Sequence, residues 1–90
     1  MKIHIIAGTY DQYRIFRDRL CNLMAQEGMN PRRQDIIYIS GPESIRGFHD
    51  PWGYRVGTWY TRSDIEQIEQ LLLQARSNLE QFIEIDDIIF

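Results

Sequence analysis

Three short segments concentrate residues able to hold a small anion: Gly8-Thr9-Tyr10-Asp11, Ser40-Gly41-Pro42-Glu43-Ser44 and Tyr60-Thr61-Arg62-Ser63. Each joins a hydroxyl or a glycine to a following helix or helical turn. Exposed amides at helix starts attract anions, and an arginine grips phosphate or carboxylate bidentately. Tyr10, Trp59 and Tyr60 offer flat rings for a base. Thr9, Ser40, Gly41 and Arg62 are therefore candidate ligand-binding residues. Arg46 joins them from a second constellation, Ser44-Ile45-Arg46-Gly47-Phe48-His49-Asp50, where His49 beside Asp50 has the makings of an acid or base. The plainer account of that span is a turn closed by Arg46, an exposed His49 and a bend before Pro51.

Other chemistry is poorly supported. The chain has no Gly-x-x-x-x-Gly-Lys-Ser/Thr loop, no Gly-x-Gly-x-x-Gly and no Gly-x-Ser-x-Gly. His4, His49 and Cys21 lack the spacing of a zinc site, so no metal and no cofactor are expected, and no catalytic residue is assigned. A lone cysteine cannot staple the chain to itself and fits a reducing compartment, so a cytoplasmic setting is expected. The net charge of −3 disfavours a double-stranded nucleic-acid footprint and gives no support to an anionic membrane surface. No apolar run reaches transmembrane length.

The elements that must position these segments follow from periodicity. Lys2–Ala7 is a buried strand. Asp11 caps a helix to about Glu27, with Tyr13, Phe16, Leu20, Leu23 and Met24 as its apolar stripe and Cys21 on the opposite face. Gly28 ends it. Asp35–Ser40 is a second strand, Pro42–Arg46 a helical turn closed by Gly47, and Tyr54–Trp59 a third strand in which Gly57 allows another backbone close. Ser63-Asp64-Ile65-Glu66 has the form of a capping box. The stripe Ile65, Ile68, Leu72, Ala75, Leu79, Phe82, Ile83 then predicts about twenty helical residues. Residues 84–90 form a separate tail that continues the helix, adds an edge strand, or awaits a partner.

Ninety residues suffice for a single domain spanning 1–90. Alternating strands and helices favour an α/β fold: a small three-stranded, mostly parallel sheet, a Rossmann-like half-fold with a long C-terminal helix. The second connection is near the minimum for a parallel crossover, which leaves the third strand's direction open. In a parallel sheet the three anion-suited segments converge on the carboxyl edge, where ligands bind.

Two stretches, Ile5-Ile6-Ala7-Gly8-Thr9 and Ser44-Ile45-Arg46-Gly47 with a strand ending Val56-Gly57-Thr58-Trp59, resemble the reduced Rossmann-like cores of small phage-encoded proteins. The resemblance covers the order of elements over residues 3–70. It implies a phage or mobile-element origin and a nucleotide-related ligand, and no catalytic residue carries over with it. The expected function is a non-enzymatic module holding a nucleotide-like or other anionic small molecule. The rival is a protein-interaction or regulatory role on a host or self partner, homodimerisation through the C-terminal helix and tail included. Its support is the Ile88-Ile89-Phe90 terminus, Leu73, Phe48 and Trp52.

Overall fold

A computed structural model describes residues 2–30, 32 and 35–85. The strands are β1 (Ile3–Ala7), β2 (Ile36–Tyr38), β3 (Gly53–Val56) and β4 (Phe82–Ile85), and the helices are α1 (Tyr10–Gln26) and α2 (Ile65–Gln74). Single 3-10 turns occupy Pro42–Ile45, Trp59–Thr61 and Leu79–Gln81. The sheet has the order β2-β1-β3-β4, and every neighbouring pair is parallel. The fold is thus α/β, and the third strand runs parallel to the first. Among the described residues the sheet has four strands where three were expected, and the fourth, at the edge, overlaps the start of the tail, for which an added edge strand was one alternative.

Both faces are apolar because side chains alternate along each strand. Ile5 and Ala7 of β1, Ile36 of β2 and Val56 of β3 pack under Tyr13 and Phe16 of α1. The opposite face buries Ile6, Ile39 and Phe82 against Ile45, Ile68 and Leu72. Cys21 belongs to the covered side of α1, whereas Leu23 is 60% exposed, the reverse of the stripe's assignment. The backbone close approach is at Gly53, where a Cβ would overlap the His4 carbonyl, and not at Gly57.

The long C-terminal helix does not form. α2 ends at Gln74, with Arg76 in the left-handed region at φ 63°. Arg76 N donates to Leu73 O, and Ser77 N donates to Leu72 O at 2.8 Å, the two bonds of a Schellman motif. Ser77, buried, adds a hydroxyl bond to Pro51 O at 2.6 Å. α1 ends on the same motif with Gly28 at φ 79° in the corresponding position. Leu79 and Phe82 still reach the α2-side core, from a 3-10 turn and a strand. Their helical spacing therefore reflects shared burial without a shared helix. Ile88, Ile89 and Phe90, on which the tail expectation rested, lie outside the described residues.

Candidate functional site

The strand order reverses between β1 and β3: the chain moves outward to β2 on one side, then returns past β1 to β3 on the other. In open parallel sheets the ligand crevice lies at such a reversal, beyond the carboxyl ends of the strands. Here those ends are Ala7-Gly8-Thr9 and Val56-Gly57-Thr58.

Gln12 fills the gap between them. Thr9 is the N-cap of α1, and its hydroxyl accepts from Gln12 N at 3.2 Å. The cap is therefore Thr9 and not Asp11, and Thr9-x-x-Gln12 is a capping-box sequence. In the usual box the glutamine turns back to the cap amide. Here its carboxamide oxygen reaches one residue further and accepts from Gly8 N at 3.0 Å and from Thr58 N at 3.1 Å. Gln12 Nε2 donates to the Thr58 hydroxyl at 3.1 Å. Two main-chain N–H groups, from the turns that follow β1 and β3, thus converge on one oxygen. The cradle requires glycines: a Cβ on Gly8 would overlap the Thr58 hydroxyl. At Gly57, where φ is +60°, a Cβ would overlap the Gln12 carboxamide.

Arg62 holds the same edge together from below. Its Nη1 donates to Ile39 O at 2.6 Å and Ala7 O at 3.3 Å, and Nε and Nη2 grip Asp64 at 3.0 and 2.9 Å. The side chain is only 8% exposed. This guanidinium satisfies the carbonyls at the ends of β1 and β2, so it is committed to the fold and not displayed to a ligand. Asp64, engaged with Arg62, is the residue that precedes α2 and makes no side-chain cap bond, and the expected Ser63 cap does not form.

Thr9, Ser40, Gly41 and Arg62 therefore share the carboxyl edge, as parallel strands require. Ser40 Oγ lies 3.3 Å from Ser44 Oγ. Tyr10 and Tyr60 stand there 55% and 62% exposed. Trp59 instead packs against the core beneath the Arg55 guanidinium, 4.8 Å from its ring centroid. Arg46 is not with the others: it lines a groove beside the last turns of α2. The His49–Asp50 pair is also not assembled, because the Asp50 carboxylate accepts from Gln81 Nε2. Gln12 and Thr58, central to the cradle, were not among the expected site residues. The Thr-x-x-Gln spacing is the sequence signal that identifies the first of them.

His4 is buried in the middle of β1. It is 1% exposed, and neither ring nitrogen has a hydrogen-bond partner among the described residues. Burial pushes its pKa below the ordinary 6.5; the Trp52 main chain opposes part of this and the Lys2 charge adds to it. Among the described residues no three His, Cys, Asp or Glu side chains are grouped to hold a metal, and no helix is long and apolar enough to cross a membrane. Comparison with family models, curated proteins and solved structures found no match to this chain.

Proposed function

We propose that this chain is a non-enzymatic binding module that holds a nucleotide-like or other anionic small molecule at the carboxyl edge of its sheet. The observation that carries this reading is the convergence of Gly8 N and Thr58 N on a single oxygen, at the point where the strand order reverses. A phosphate or carboxylate oxygen is a stronger acceptor for those amides than a neutral carboxamide. In this reading the ligand oxygen displaces Gln12 Oε1, the hydroxyls of Thr58 and Ser40 supply further bonds, and Tyr10 and Tyr60 flank a base. With Arg62 committed to Ala7, Ile39 and Asp64, main-chain amides meet the ligand's charge. The resemblance to phage-encoded Rossmann-like cores supports the same ligand class. A thermal-shift screen with inorganic phosphate, nucleoside monophosphates and sugar phosphates tests it. A concentration-dependent rise in melting temperature supports the reading, and a flat response across the panel refutes it.

A second reading, a protein-interaction role, is supported by exposed apolar side chains: Leu73 of α2 is 56% exposed and Trp52 37%, whereas Phe48 is half-buried. β4 is an edge strand, and its Ile83 is 55% exposed on the face that α1 leaves open. If this surface joins two copies, I83E lowers the sedimentation coefficient of the full chain. An I83E chain that sediments as the unaltered chain does argues against it.

A further inference from the structure

The last turns of α2, the end of the Pro42–Ile45 turn and the segment after it border an open groove of about 220 Å³, lined by Ile45, Arg46, Phe48, Leu71, Gln74 and Ala75. It is separate from the carboxyl-edge cradle, since neither Gln12 nor Thr58 lines it. Its apolar wall is formed by Ile45, which is 1% exposed, and by the half-buried Phe48, Leu71 and Ala75, and Arg46, Gly47 and Gln74 give it polar surface. Its rim carries a cation, Arg46, which forms no ion pair with an acid of the described residues.

The surrounding carboxylates are directed elsewhere. Glu43, three residues before Arg46, turns its carboxylate towards Gly41. The Asp50 carboxylate accepts from Gln81. On α2 the groove side presents Gln74 and, seven residues earlier, Gln67, whereas helical geometry puts Glu66 and Glu69 on other sides. An arginine held over apolar surface, with neutral amides as neighbours, suits a ligand that brings its own carboxylate.

We propose that this groove binds a small monocarboxylate with an apolar tail. Arg46 takes the carboxylate as a bidentate pair, and Ile45, Phe48 and Leu71 take the tail. The groove is open to solvent on one side, so a short-tailed carboxylate such as 3-phenylpropionate serves as the probe. His4 reports occupancy, because its ring packs edge-on against Phe48 with centroids 4.5 Å apart.

The test is an NMR titration of the full chain with 3-phenylpropionate and, in parallel, with its neutral amide. Saturable shifts are expected at the amides of Gly47, Phe48, Gln74 and Ala75 and at the His4 ring. Affinity is expected to fall roughly tenfold or more for the neutral amide and in R46Q. Arg46 is exposed, so R46Q keeps the fold, which its melting temperature checks. R46K, which keeps the charge but not the fork, falls between the two. The proposal is overturned by an absence of shifts, by equal binding of acid and amide, by unchanged affinity in R46Q, or by shifts confined to Gly8 and Thr58.

Discussion

Replacing Gln12 by alanine removes one acceptor from two main-chain donors at once. Gly8 N and Thr58 N both end on Gln12 Oε1, at 3.0 and 3.1 Å, and the Thr58 hydroxyl loses Nε2 at 3.1 Å. A net hydrogen bond contributes about 0.5–1.5 kcal/mol, and donors freed near solvent recover part of it from water, so Q12A is expected to cost about 1–3 kcal/mol. For a domain of this size that lowers the melting temperature by roughly 5–15 °C. The ligand reading adds a second expectation. An anion entering Q12A meets two waiting amides and displaces no side chain, so phosphate or AMP raises the melting temperature of Q12A more than that of the unaltered chain. At a hundred times its dissociation constant a ligand contributes about 2.7 kcal/mol, enough to restore most of the loss. Thermal melts of both chains across an AMP series measure this. A destabilised Q12A that no anion rescues would make Gln12 a structural clasp between β1, α1 and β3, and would refute the ligand reasoning. A Q12A chain of unchanged stability would refute the hydrogen-bond argument itself.

Three further outcomes follow from the same geometry. R62A strands the Ile39 and Ala7 carbonyls and leaves Asp64 without its partner; a loss of about 2–4 kcal/mol in urea unfolding is expected, R62K does not restore it, and a loss near zero would show that the guanidinium does not hold the edge. R76G relieves a left-handed residue in the Schellman turn after α2 and is expected to gain about 0.5–1 kcal/mol, the steric relief less glycine's extra chain entropy; a destabilised R76G would contradict that account of the turn. His4 has a folded pKa below its unfolded 6.5, so between those values the unfolded chain binds more protons. Stability therefore falls as pH drops below about 6.5, by at most about 1.4 kcal/mol per unit, and His4→Leu flattens that part of the profile between pH 5 and 7; an unaltered slope in the variant would place its origin in other groups.

The sequence made the sheet-and-helix plan legible wherever one element owned its pattern. β1 is an apolar run interrupted only by the buried His4, and α1 has a stripe that holds from Tyr13 to Leu20, misplaces Leu23 and Cys21, and ends at a glycine stop. The pattern misleads where burial is shared between elements. Ala75, Leu79 and Phe82 keep helical spacing because all three enter the same core, while Arg76 turns the chain without a glycine to mark the place. Ser63 matches a capping box in sequence because Glu66 follows it at the right spacing. There the first carboxylate answers to Arg62, and the working box is Thr9-x-x-Gln12. The site divides in the same way. Thr9, Ser40, Gly41 and Arg62 were brought to one edge by strand direction, which alternation of elements predicts. What Arg62 and Gln12 do there depends on acceptors and donors 23 to 55 residues away, which no local pattern encodes.

The central claim is that the Gly8–Thr58 cradle accepts an anionic oxygen, and amide shifts at those two residues test it most directly. Titrating AMP into the full chain, with adenosine as the uncharged control and Q12E as the blocked variant, reads the cradle itself. In Q12E a tethered carboxylate occupies the cradle and repels an incoming anion. The account predicts saturable shifts at Gly8 and Thr58 with AMP, and affinity lower by roughly tenfold or more for adenosine and for Q12E. Shifts that are absent, or that are the same for AMP and adenosine and undiminished in Q12E, would contradict it.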